Sequence, residues 1–87
     1  MAKYKITFKK SVSKDLRVIP NNDVDRILSR IKKLSDNPRA EGCTKLAGLE
    51  KYRVRQGIYR IIYEIRDNVL VVNVVKVAHR SNVYKST

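Results

Sequence analysis

The sequence predicts an α+β domain: an N-terminal strand, a two-helix hairpin, then a three-stranded antiparallel meander, with both helices on one face of the sheet. Three observations predict it. The first residues alternate apolar and polar side chains, the next segment carries apolar residues at helical spacing, and the last third holds apolar runs separated by very short turn signals. Eighty-seven residues make one domain, read as 1–87 with 79–87 as a functional C-terminal tail.

Each element has its own justification. In "KYKITFKK", Tyr4, Ile6 and Phe8 share one side while Lys3, Lys5, Thr7 and Lys9 share the other, the period of a half-buried strand. "SVSKDLRVIP" reads as a short helix, with Ser11 or Ser13 as its cap and Pro20 as its stop. "NNDVDRILSRIKKLSDNP" reads as a longer one. Asn21 or Asn22 caps it, Asp23 and Asp25 suit its positive end, and Lys32 and Lys33 suit its negative end. Val24, Ile27, Leu28, Ile31 and Leu34 form its apolar stripe. "RAEGCTKLAGLE" reads as a loop. Strands follow at about 51–55, 58–66 and 69–78, with Gln56-Gly57 and Asp67-Asn68 as the turns.

Two-residue turns at those positions fix the faces. One face carries Tyr52, Val54, Tyr59, Ile61, Tyr63, Ile65, Leu70, Val72 and Val74, and belongs under the helices. The other carries Arg53, Arg55, Arg60, Ile62, Glu64, Asn73, Val75, Val77 and His79, with Arg53 directly opposite Arg60. A bulge in any of these strands reverses the parity beyond it.

Composition narrows the function. Twenty Lys and Arg against eight Asp and Glu give a net charge of +12. Self-repulsion at that level opposes compaction, so a polyanionic or acidic partner is expected. Cys43 is the only cysteine, which excludes an intramolecular disulfide and fits a reducing, cytoplasmic setting. The longest apolar run, from Val69 to Val77, is interrupted by Asn73 and Lys76 and is too short for a membrane helix. One histidine, one cysteine and no clustered carboxylates offer no metal site, and no cofactor is expected.

The chemistry-bearing residues point to RNA. Converging arginines match phosphate oxygens, a histidine exchanges protons near neutral pH, and a tyrosine hydroxyl orients groups or stacks on a base. Cleavage of RNA by its own 2′-hydroxyl needs a proton acceptor, cations around the charged phosphorus and a proton donor to the leaving oxygen, and no metal. His79, Arg80 and Tyr84 close the chain beside the arginines. Each also has a plain structural reading: a hydrogen-bonded surface histidine, a hydrophobic tyrosine anchor and splayed surface arginines. The residues alone lead to a basic α+β domain that binds RNA.

"KLAGLEKYRVRQGIYRIIYEI" followed by "VVNVVKVAHRSNVYK" resembles the RelE/ParE superfamily of bacterial and archaeal toxins. The motifs are K-L-x-G from Lys45 to Gly48, Y-R-V-R from Tyr52 to Arg55, G-x-Y-R-I-I-Y from Gly57 to Tyr63, and H-R-x-x-V-Y-K from His79 to Lys85. The resemblance covers nearly the whole chain. It implies a RelE-like fold and a ribosome-dependent, metal-independent mRNA endonuclease held inactive by an acidic antitoxin. The implied partners are a 70S-type ribosome with mRNA in its A site and the antitoxin, with no membrane and no DNA contact by the toxin alone. The implied catalytic residues are Arg60, His79, Arg80 and Tyr84, with Arg53, Arg55 and Lys45 binding RNA. Some family members pair a C-terminal histidine with a glutamate ahead of the K-L-x-G motif, a place near Glu41. The ParE branch, which blocks DNA gyrase, and a non-catalytic RNA-binding or antitoxin-binding module are the alternatives.

Overall fold

The computed structural model describes residues 3–79. The expected tail at 79–87, apart from His79, lies outside the described residues, and with it Arg80 and Tyr84. The elements are β1 (Lys5–Phe8), α1 (Ser11–Arg17), α2 (Asn21–Leu34), β2 (Cys43–Lys45), β3 (Tyr52–Gln56), β4 (Tyr59–Arg66) and β5 (Val71–His79). They form one five-stranded sheet in the order β1-β5-β4-β3-β2. The meander of β3, β4 and β5 is antiparallel as expected, but β1 joins β5 in parallel, so the sheet is mixed.

Two short elements depart from the sequence reading. β2 falls in the segment read as a loop: three residues flanked by glycines carry too little pattern, and pairing with β3 at the sheet edge defines the strand. Neither helix takes its expected side-chain cap. Lys10 and Pro20 occupy the N-cap positions without cap hydrogen bonds, and Ser13 Oγ instead donates back to the Lys10 carbonyl at 3.0 Å. The apolar stripe of α2 buries Ile27, Ile31 and Leu34 as expected, while Leu28 stays exposed on one flank.

β1 and β2 lie at opposite edges, so the helix pair crosses one face of the sheet between them. α1 rests on β5, and α2 on β3 and β4. Val12, Ile19, Ile27, Ile31 and Leu34 meet Val54, Ile61, Tyr63, Val72, Val74 and Val77 in a single core. β1 stops at Phe8, opposite Val74, and leaves the rest of β5 without a strand on that side. Asp15 of α1 covers the first gap, its Oδ2 accepting the Val77 N–H at 3.2 Å.

The registers correct both turns. Gln56 faces Tyr59, so the tight turn is Gly57-Ile58, with Gly57 at φ +61°, a conformation that favours glycine. The shift of two residues keeps every side chain of β3 and β4 on its expected face but sets Arg55, not Arg53, opposite Arg60. Between β4 and β5, Arg66 faces Val71, so residues 67–70 form the connection and Leu70 is not part of the strand. Further along, Tyr63 faces Val74 and Ile62 faces Lys76, which leaves Val75 as an extra residue, a bulge. Beyond it the parity reverses. Val77 is buried in the core and His79 lies on the helix-covered face, while Lys76 and Ala78 take the open face.

Burial explains the bulge. An unbroken strand carrying Val72 and Val74 inward also turns Lys76 inward and Val77 outward. Burying an ammonium group in an apolar core is far more costly than leaving one strand residue unpaired. The extra residue lets Val72, Val74 and Val77 all reach the core with the lysine outside.

At the other end of the molecule a hydrogen-bonded cluster ties the α2–β2 connection to the sheet. Tyr63 is fully buried, and its hydroxyl donates to the Pro38 carbonyl at 2.6 Å. Burial, and then the neighbouring Cys43, push this phenol far above its ordinary range. Its ring stacks on Tyr52 at 5.8 Å, and the Arg39 guanidinium lies 5.5 Å over the Tyr52 ring. Arg39 also donates through both terminal nitrogens to Asp67, at 3.0 and 2.8 Å, and Tyr4 Oη donates to the same carboxylate at 2.6 Å. These donors, Arg39 first, hold the Asp67 pKa down at about 2.

Two predictions follow from this cluster. Tyr63→Phe leaves the Pro38 carbonyl without its donor and lowers unfolding stability by about 1–3 kcal/mol in urea titration. Asp67 has a depressed native pKa, so its contribution is complete above the unfolded value near 3.8 and is lost as pH falls through about 2. The melting temperature of Asp67→Asn therefore lies below that of wild type at pH about 6, and the gap closes towards pH about 1.5.

Candidate RNA-binding face

The face of the sheet away from the helices collects the basic residues in rows set by strand register. One row runs Arg55–Arg60–Ala78, and the next runs Thr44–Arg53–Ile62–Lys76. Neighbouring strands are about 4.8 Å apart and alternate residues along a strand about 6.8 Å apart, so the four cations occupy two adjacent rows. Arg55 is exposed, Arg53 and Lys76 are half-buried, and Arg60 retains only 7% of its surface.

This face divides into two ends. Towards the β4–β5 connection, Thr7 Oγ1 meets Asn73 Oδ1 at 2.9 Å, Asn73 Nδ2 donates to Glu64 at 3.3 Å, and Arg66 approaches Glu64 at 3.7 Å. Polar groups there satisfy one another. Towards the Gly57-Ile58 turn, the cations gather with no carboxylate among the residues that the register places between them. Like charges directly across a ladder are destabilising. A phosphodiester lying across both rows offsets that repulsion, and the fork of arginine suits its oxygens.

The predicted site residues separate into groups. Arg53, Arg55 and Arg60 come together as expected. Lys76 joins them, a residue that sequence reasoning passed over although it breaks the apolar run of β5 out of phase with strict alternation. His79 does not join them. The bulge carries it to the opposite face, opposite Tyr59, whose ring it meets edge-on at 6.1 Å and 88°. Lys45 pairs with Tyr52 and so also leaves the arginine face, where Thr44 stands instead; its ammonium lies 3.8 Å from Glu50. Glu41 precedes β2, and three strand spacings, about 14 Å, separate that edge from β5. The expected pairing of Glu41 with His79 is therefore not made. Among the described residues, no three His, Cys, Asp or Glu side chains gather as a metal site.

Comparison with known proteins places this architecture. The profile of the family described as ParE toxin of type II toxin-antitoxin system, parDE, matches residues 6–84. Pairwise comparison with curated proteins yields no match. Among solved structures, the chain is similar to the toxin–antitoxin complex RelBE2 from Mycobacterium tuberculosis, at 25% identity and TM-score 0.84, over 93% of this chain and 95% of that one. It is also similar to the archaeal RelE–RelB complex from Pyrococcus horikoshii, at 27% identity and TM-score 0.75, over 90% and 96%. The isolated E. coli RelE toxin matches at 26% identity and TM-score 0.75, over 95% and 93%.

The position of Lys76 yields a direct test. Lys76→Ala weakens binding of single-stranded RNA and lowers the slope of log affinity against log salt by about 1, read by fluorescence anisotropy across a salt series. An unchanged slope removes Lys76 from the face.

Proposed function

The chain belongs to the ParE toxin family of type II toxin–antitoxin systems, in the RelE branch of the RelE/ParE superfamily, and on that premise we propose that it is an mRNA interferase, cutting mRNA on the ribosome and so halting translation. The observation that carries this reading is the crowding of Arg53, Arg55, Arg60 and Lys76 at one end of the open sheet face. The ParE name of the matching family is the observation that favours gyrase as a second target.

In the proposed reaction the ribose 2′-oxygen attacks the adjacent phosphorus, and the bond to the 5′-oxygen of the next nucleotide breaks. The 2′-hydroxyl gives up its proton, and the departing 5′-oxygen takes one. The products are a 2′,3′-cyclic phosphate and a free 5′-hydroxyl. Arg60, central among the cations, stabilises the charge that builds on the phosphoryl oxygens. Arg53, Arg55 and Lys76 hold the neighbouring phosphates. Arginine is a poor proton acceptor because it stays charged, so proton transfer falls to the C-terminal segment, with Tyr84 as the exchanging or base-stacking group and Arg80 as a further cation. His79, which contacts Tyr59 on the opposite face, is assigned to positioning that segment. Lys45 is assigned to peripheral RNA contact, beyond the edge of the arginine face.

The partner in the resting state is an antitoxin, as in the toxin–antitoxin complexes that this chain resembles, and the charge of this chain calls for an acidic one. An acidic segment neutralises part of the +12 charge and competes with RNA for it. A cytoplasmic location follows from a ribosomal target, and among the described residues no helix is long and apolar enough to cross a membrane.

Programmed ribosomes carrying a defined mRNA test this reading. Wild type cuts within the message, leaving a cyclic phosphate and a 5′-hydroxyl. Arg60→Ala and Tyr84→Phe each lower the single-turnover rate by about 10²-fold or more, while His79→Ala costs less than Tyr84→Phe. Products bearing a 5′-phosphate overturn the mechanism. Absence of cutting together with inhibited supercoiling by gyrase replaces the reading with the second one.

A further inference from the structure

A second basic surface lies on the helix side of the sheet, away from the arginine face. Arg26, Arg30 and Lys33 follow one another at i, i+4 and i+7 along one flank of α2, with axial offsets of about 6 and 10.5 Å. They line a cleft of about 310 Å³ together with Asp25, Ser29 and Gln56. Arg26 and Gln56 also line a second cleft of about 270 Å³, which continues past Gly57 and Ile58 to Tyr59. The two clefts form one trough between α2 and the β3–β4 hairpin.

The cations of this trough are not engaged elsewhere. Asp23 and Asp25 stand on the same helix, yet the ion pairs among the described residues include none of Arg26, Arg30 and Lys33. Arg30 is the most constrained. A terminal nitrogen of its guanidinium lies where a Cβ on Gly42 would approach within 3.0 Å, so glycine there leaves it room. Its Nε is buried and has no hydrogen-bond partner. A buried guanidinium N–H without an acceptor is costly, and an anionic ligand in the trough relieves the local charge that it carries.

We propose that the Arg26–Arg30–Lys33 flank of α2, with Gln56, is a second RNA-binding surface that takes the phosphate backbone of a double-helical RNA. α2 itself carries no aromatic residue on which the bases of a single strand could stack, and Tyr59 lies only at the far end of the trough. An amphipathic protein segment needs a broad apolar groove, and this trough offers only Ile58 and Tyr59 at one end, with charged and polar side chains, Asp23 and Asp25 among them, along the rest. What the flank does present is a line of point charges, with Ser29 and Gln56 able to meet 2′-hydroxyls. Duplex RNA is recognised by this combination of phosphate and 2′-hydroxyl contacts. The surface also joins the arginine face. Arg55 and Gln56 are consecutive on β3 and point to opposite sides, so the basic band passes around the Gly57-Ile58 tip from one face to the other. The toxin then grips structured RNA with α2 while the open face holds a single strand.

The test reads binding apart from cleavage, so it stands or falls separately from the interferase reading. The probe is an unmodified RNA duplex of about 20 base pairs, whose A-form geometry keeps each 2′-hydroxyl out of line for attack on phosphorus while leaving it free to be contacted; fluorescence anisotropy is followed over a salt series. Arg26→Gln/Lys33→Gln, at two exposed positions, is expected to weaken binding by about tenfold and to lower the salt slope by about 2. Adding Arg30→Gln lowers both further, with circular dichroism reporting whether that variant folds. The control Lys9→Gln/Lys14→Gln removes the same charge from the α1 side and leaves the slope nearly unchanged. Equal losses in control and α2 variants overturn the proposal in favour of non-specific charge. Wild-type binding to a polyglutamate peptide but not to the duplex, lost in the α2 variant, assigns the flank to an acidic protein segment and also overturns it.

Discussion

A single unpaired residue, Val75, governs how this sheet divides its labour. β5 is an interior strand, flanked by β1 and β4, and it supplies Val72, Val74 and Val77 to the core. Without the bulge those three valines cannot all face the helices, and Lys76 replaces one of them inside. The same irregularity that completes the core delivers an ammonium group to the arginine face and takes the imidazole away from it. Asp15 supports the arrangement from outside the sheet, its carboxylate accepting the Val77 N–H just beyond the bulge, where β1 no longer runs alongside. An aspartate on a short helix is thus part of what shapes the arginine face on the far side of the sheet.

The features legible in the sequence are those repeated over several residues. Alternation in β1, helical spacing in α2 and the dense apolar meander identify the class, the element order and the buried face of β3 and β4. Those faces hold because moving the turn by one residue, to Gly57-Ile58, shifts the cross-strand register by two, and an even register shift conserves parity. The shift does change which arginines oppose each other, since register depends on where Gly57 takes its positive φ and not on composition. β2 was illegible because three residues carry no period. The position of His79 was illegible for a different reason: one extra residue upstream reverses everything after it, and only the conflict between Lys76 and the strict alternation signals its presence. Side chains identify what a site can do; a bulge decides which of them share it.

Stability and charge are segregated along the strands. At the β4–β5 connection, Arg39, Asp67, Tyr4, Tyr52 and Tyr63 satisfy one another through bidentate, hydroxyl and stacked contacts that fasten β1, the α2–β2 connection and the meander together. Three tyrosines that read simply as apolar core and strand residues turn out to act through their hydroxyls or rings in this latch. At the hairpin end the balance is inverted. Arg55 and Arg60 face each other across β3 and β4, and among the described residues the register sets no carboxylate beside them on this face.

That inversion bears on why so small a domain tolerates a net charge of +12. Exposed like charges repel weakly in salt, so Arg55 alone carries little penalty. Arg60 is different, because its surface is almost wholly buried while Arg55 stands directly opposite it. Under the proposed function, an anion bound at this end of the sheet interacts favourably only with the folded protein, so anion affinity and folding stability are linked. On that reading an acidic antitoxin and an RNA phosphate compete for one end of the sheet even where their other contacts differ. The latch at the far end ties β1, the α2–β2 connection and the meander into one body, so the cluster sits on a sheet that is fastened at its opposite end. The bulge, the latch and the arginine pair are in this sense one design, with the apolar core meeting the expense of the charged face.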